Sequence, residues 1–116
     1  LKEFLEHFKE DIQIVRLDVA FDNEQAFNIT EIAKNSKRNI CKRWNTIYFK
    51  TAREKRVNQY LNIKHYFKRE IKLYRLEFVF CKKYFTKKEP FKLMEKTIKK
   101  ILKKPFKFEE DFNLLS

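Results

Sequence analysis

Three carboxylates and a phenol stand at spacings that alternation along β-strands brings to one side of a sheet. Asp18 and Asp22 lie in the run Arg16-Leu17-Asp18-Val19-Ala20-Phe21-Asp22. Glu77 lies in Tyr74-Arg75-Leu76-Glu77-Phe78, and Tyr60 opens a stretch that continues to Asn62 and Lys64. Apolar residues hold the intervening positions, so the polar set turns to the opposite face. Arg16, Asp18, Asp22, Tyr48, Lys50, Tyr60, Asn62, Lys64, Arg75 and Glu77 then share one side. Carboxylates converging among oxygen-rich neighbours suit Mg or Mn, because hard divalent cations take carboxylate and water ligands. A tyrosine beside such a site can attack a phosphodiester once the phosphate is polarised and a cation stabilises the phenolate. On this reading Tyr60 is the nucleophile, Asp18 and Glu77 with Asp22 hold the metal, and Arg16, Lys64 and Arg75 balance phosphate charge. Lys50, Arg53 and Arg56, with Tyr48, supply the rim that holds the strand. Tyr66 is a second candidate nucleophile, sharing the parity of Tyr60 if the strand continues that far.

Each of these residues has a plainer use. Arg16-x-Asp18 and Arg75-x-Glu77 also serve as cross-strand ion pairs on a solvated sheet. Asp22 also serves to start a turn at Asn23, and Tyr60 to present an exposed hydroxyl or a stacking platform. Trp44, at the start of a strand, reads as a packing anchor in preference to a base-stacker. His7 and His65 have no second histidine at ligand spacing, and the His-x-His metal motif is absent, which argues against zinc. Cys41 and Cys81 stand forty positions apart and read as buried thiols, not as a disulfide framework or a metal or redox pair.

The elements that must position these residues follow from periodicity. Leu1, Phe4, Leu5, Phe8 and Ile12 mark an amphipathic helix, and from Gln13 the period changes to two over Val15, Leu17, Val19 and Phe21. A helix is expected around Thr30 to Lys37, followed by a basic connection from Lys37 to Arg43. A second strand spans Asn45 to Thr51, a turn Ala52 to Arg56, a third strand Val57 to Lys64, a turn Phe67 to Lys72, and a fourth strand Leu73 to Lys82. Pro90 opens a helix whose stripe is Phe91, Met94, Ile98, Ile101 and Leu102. Pro105 stops it, and a short terminal helix is expected over Phe108 to Leu115. Three strands on short connections favour an antiparallel meander. The fold class is therefore α+β: an antiparallel sheet of about four strands, with helices packed on one face and an open, charged opposite face.

At 116 residues, 43% hydrophobic and 16% aromatic, the chain is expected to form a single domain, 1–116, with a real core despite 38% charged residues. No apolar run approaches the ~18–20 residues of a membrane span, and a cytoplasmic protein is expected. Glycine is absent, which excludes the Gly-rich phosphate loop and the dinucleotide fingerprint, since both need backbone without a Cβ near phosphate. Residues 34–75 hold 14 of the 28 Lys and Arg but only Glu54 and Glu70 of the 16 acids. That stretch therefore carries the whole net charge of +12. Interleaved with Trp44, Tyr48, Phe49, Tyr60, Tyr66, Phe67 and Tyr74, it reads as a surface for a polyanion, nucleic acid first. The chain begins at Leu1, and the expectation is a fragment or catalytic core of something longer.

Over residues 14–82 the order and approximate spacing of four segments resemble the rolling-circle replication initiators of small staphylococcal-type plasmids. Related phage and conjugative-element nicking proteins look similar. The segments are Arg16 to Asp22, Thr46-Ile47-Tyr48-Phe49, the Tyr60 to Lys64 strand, and Tyr74 to Phe78. The resemblance implies tyrosine-mediated nicking and religation of DNA at a plasmid or phage origin, the tyrosine joining covalently to the 5′ phosphate while acidic residues on neighbouring strands bind the metal. It also implies a single-stranded or hairpin origin as substrate and a second copy or a host helicase as protein partner. Two other functions fit the same residues: a non-catalytic single-stranded nucleic-acid-binding module using Tyr48, Tyr60 and Trp44, and a domain whose basic face meets an acidic protein.

Overall fold

The computed structural model describes residues 16–51 and 58–108. The expected helix over the first twelve residues, the turn at 52–56, the bulk of the terminal helix, and Arg53 and Arg56 lie outside the described residues. The chain is an α+β protein built on one five-stranded antiparallel sheet. Its strands are β1 (Arg16–Asn23), β2 (Asn39–Arg43), β3 (Thr46–Lys50), β4 (Leu61–Lys68) and β5 (Leu73–Cys81). Helix α1 (Ile29–Ser36) follows β1, and a 3-10 turn (Lys82–Thr86) precedes helix α2 (Pro90–Leu102). The spatial order is β1-β5-β4-β3-β2. Strands β2 to β5 form the meander that short connections favour, and β1 closes against β5.

Local chemistry sets the helix ends. The Asn28 side chain accepts the N–H of Glu31 at 3.1 Å and caps α1, while Pro90 occupies the first turn of α2, where no donor is needed. With no glycine available, Lys37 and Lys103 take the left-handed position that ends each helix, at φ of 56°. Asn35 donates from Nδ2 to the carbonyl of Ile101 at 2.9 Å, fixing α1 to the end of α2.

Register explains the core. Leu17, Val19 and Phe21 face Phe80, Phe78 and Leu76, which in turn face Leu61, Ile63 and His65; Ile63 and His65 then face Phe49 and Ile47. These positions have one parity, and their buried members cluster with Ile32 of α1 and with Phe91, Met94, Ile98 and Ile101 of α2. At about 25 cal/mol per Å² of buried apolar surface, this cluster is the main stabilising term. Fully enclosed Phe78, Phe80, Met94 and Ile98 sit at its centre.

Several boundaries differ from those the sequence predicts. The basic stretch expected as a connection contains a fifth strand, β2, because Asn39–Arg43 pairs along its whole length with β3 as a short edge, where lysine and arginine are ordinary. The third strand starts at Leu61 instead of Val57, and runs through Phe67 and Lys68, which were expected in a turn. Its start is displaced by an asparagine turn: Asn58 Oδ1 accepts the N–H groups of Tyr60 and Leu61 at 2.8 and 3.1 Å, and the Asn58 N–H donates to Asn62 Oδ1 at 2.9 Å. Backbone donors spent there are not free for a ladder. The turn after β4 is confined to Arg69–Lys72. Phe108 is not helical; its N–H donates to Glu95 Oε2 at 2.6 Å.

Candidate nucleic-acid interface

The parity opposite the core gathers the predicted polar set. On β1 it carries Arg16, Asp18 and Asp22; on β5, Arg75 and Glu77; on β4, Asn62, Lys64 and Tyr66; on β3, Tyr48 and Lys50; on β2, Cys41 and Arg43. Adjacent strands interlock them. Asp22 opposes Arg75, Arg75 opposes Tyr66, Glu77 opposes Lys64, and Lys64 opposes Tyr48. Glu77 opposes Ala20, which places it diagonal to both Asp18 and Asp22.

Each carboxylate is engaged by a cation. Asp22 receives a two-pronged contact from Arg75, Nε at 2.7 Å and Nη2 at 2.9 Å, across the β1–β5 ladder. Asp18 receives the same from Arg16 two positions away, at 2.7 and 2.8 Å. Glu77, 8% exposed, lies 3.2 Å from Lys64 Nζ. The hydrogen bond from Arg75 holds the Asp22 carboxyl below its ordinary pKa of 3.8. Arg75 is pushed above its ordinary range, first by that bond and further by Tyr66. Among the described residues no three of His, Cys, Asp or Glu converge as a cation cage. Asp18, Asp22 and Glu77 are thus on one face but each bound to a different side-chain cation, and the donor set as arranged is one of ion pairs.

Cations also lie over phenol rings on this side. Lys50 Nζ is 5.7 Å from the Tyr48 ring centre, and Lys64 Nζ is 5.7 Å from that of Tyr66. Two aromatic faces and a row of ammonium and guanidinium groups therefore alternate across β3, β4 and β5. Stacked bases and their phosphates call for that alternation.

Five placements correct the sequence reading. Tyr60 is not in a strand: it stands in the asparagine turn before β4, 43% exposed, with Lys87 Nζ 4.9 Å and Lys83 Nζ 5.9 Å from its ring centre. Tyr66 holds the place on the sheet that was assigned to Tyr60, because β4 is shifted toward its C-terminus. Trp44 packs against no core; it is 95% exposed. Cys41 and Cys81 are half-buried free thiols, Cys81 Sγ accepting from Asn62 Nδ2 at 3.2 Å. Asp22 does not begin a turn but lies within β1. Sequence reasoning also passed over His65 as a structural residue. Its core parity, legible once β4 is extended past Lys64, is the signal that finds it.

No family model, no curated protein and no solved structure matches the chain.

Proposed function

We propose that this protein binds single-stranded nucleic acid on the sheet face formed by Arg16, Tyr48, Lys50, Lys64, Tyr66 and Arg75. The observation that carries the reading is the register itself, which puts two tyrosine rings, each beside a lysine ammonium, diagonal to one another on adjacent strands, with Arg75 directly opposite Tyr66. Aromatic faces take bases without regard to sequence, and the cations take the backbone between them. The charge of residues 34–75 supports a polyanion as partner. The test is fluorescence anisotropy of a dye-labelled oligothymidylate titrated with the protein at several salt concentrations. Binding should weaken linearly in log–log form. Arg16→Ala and Lys50→Ala should each reduce the slope by roughly 0.7, the single-strand value per phosphate contact. No binding at low salt, or slopes untouched by both substitutions, overturns the proposal.

A second reading, tyrosine-mediated nicking of DNA at a replication origin, is favoured by one observation: Tyr66 shares this face with Asp22 and Glu77 and stands opposite Arg75 in the β4–β5 register. The phenol oxygen of Tyr66 would attack phosphorus, leaving the tyrosine esterified to the 5′ phosphate. The departing 3′ oxygen would take a proton, and Arg75 would stabilise the phenolate. Incubation with single-stranded DNA and Mn separates the readings. Nicking gives a denaturant-resistant adduct that is lost in Tyr66→Phe and kept in Tyr60→Phe. Pure binding gives none and is indifferent to a chelator.

A further inference from the structure

We infer that the turn end of the sheet holds a receptor for one unpaired nucleobase, with Trp44 as its stacking wall. The inference rests on the nucleic-acid reading above and adds a site to it. Trp44 and Asn45 form the two-residue loop between paired Arg43 and Thr46. Trp44 has φ of 55°, and Asn45 is not among the positive-φ residues. That sign pattern is the hairpin turn whose first central position is ordinarily glycine. A bulky side chain is strained there.

Among the described residues five adopt positive φ: Lys37, Trp44, Lys72, Glu89 and Lys103. Lys37, Glu89 and Lys103 cap helices, and Lys72 closes the β4–β5 turn. Trp44 alone is aromatic, and it gains no burial in return, being 95% exposed. The fold thus bears backbone strain to hold an indole in solvent, where asparagine or glycine would serve the turn better. Strain of this kind points to use of the side chain.

The surroundings state what the indole meets. A cleft of about 400 Å³ lies beside it, lined by Ile47, Phe67, Arg69 and Tyr74 among others. Phe67 is 43% exposed and meets Tyr74 edge-on at 5.0 Å. Lys42, Arg43, Lys68, Arg69 and Lys72 occupy the two adjoining turns and strand ends, against one carboxylate, Glu70. An apolar cleft with Lys42 and Arg69 in its lining complements a base with its flanking phosphates. A solely apolar partner would leave the cations desolvated without a counter-charge. The cleft has the parity of Ile47 and Phe67, so a strand lying on the Tyr48–Tyr66 face reaches it by turning round the sheet end. Its occupant is therefore a base at a strand end or at a break in stacking.

Trp44 is the only tryptophan of the chain, so its emission reports the site directly. The protein is titrated with an oligothymidylate of about 15 nucleotides, within the span of single-strand site sizes, while dye anisotropy and tryptophan emission are read together. The expected result is quenching of emission in parallel with the anisotropy rise. Trp44→Ala should lose affinity by about tenfold to a hundredfold, as for loss of one base stack, with the salt slope unchanged. Trp44→Gly should also bind weakly yet melt at a higher temperature than the unsubstituted protein, a combination that a merely structural tryptophan does not give. Binding with unaltered emission and full affinity in Trp44→Ala overturns this site and leaves the face reading standing. No anisotropy change removes both. Equal quenching by inorganic polyphosphate, which has no bases, overturns the stacking role.

Discussion

His65 makes stability depend on pH in a direction that the structure determines. Its ring is 5% exposed on the core side of β4, and its Nε2 accepts the N–H of Phe27 at 3.0 Å. The Phe27 ring meets it edge-on at 5.6 Å, and Tyr74 stacks on it at 5.9 Å and 9°. Burial lowers the His65 pKa below the ordinary 6.5. Nε2 accepts only when it carries no proton, so the fold holds the neutral ring. The unfolded chain therefore binds the proton more readily than the folded one. The contribution is complete above the unfolded pKa of 6.5 and is lost as pH falls from there through the lower folded value. His65→Leu removes the acceptor and leaves a half-buried N–H unpaired, at a cost of about 2 kcal/mol within the range for such groups. Urea denaturation at about pH 8 and about pH 5.5, above the carboxylate range, checks both parts. The wild-type protein should lose stability between the two pH values, and the variant should start lower and lose less. Equal losses in both proteins would refute the reasoning, because His7 and every other titrating group are common to them.

The Arg75–Asp22 contact, with side chains 20% and 28% exposed, should give a coupling of about 1 kcal/mol in a double-mutant cycle of Asp22→Asn and Arg75→Gln. Because the Asp22 pKa is lowered, that coupling should be present above its ordinary value of 3.8 and fade as pH falls through the depressed one, measured by denaturation in acid. Ile98, fully enclosed between α2 and the sheet cluster, should cost about 3 kcal/mol when changed to alanine, read from the urea midpoint.

Alternation carried most of what the sequence made legible. Leu17, Val19 and Phe21, and Leu76, Phe78 and Phe80, fall on the core side as their spacing implies, and Arg16, Asp18, Asp22, Arg75 and Glu77 share the other. The Phe91–Ile101 stripe and Pro90 likewise give α2 nearly to the residue. What escaped were features decided by contacts remote in sequence or by turn hydrogen bonds. The Asn58–Asn62 turn delays β4, and that delay exchanges Tyr60 for Tyr66 on the sheet. β2 is short and basic, and it is a strand because β3 lies beside it. Trp44 looked like a packing residue because tryptophan usually is one; its exposure follows from a two-residue loop that periodicity does not reveal. The pairing of each acid with a particular cation depends on which residues oppose one another, and only register supplies that.

The proposed nucleic-acid site is the sheet face opposite the core. Backbone amide shifts recorded on adding an oligothymidylate test it residue by residue. The largest changes should fall at Tyr48, Lys50, Lys64, Tyr66 and Arg75; changes confined to the outer lysines of α2, Lys96, Lys99 and Lys100, or none at all, would contradict the proposed site.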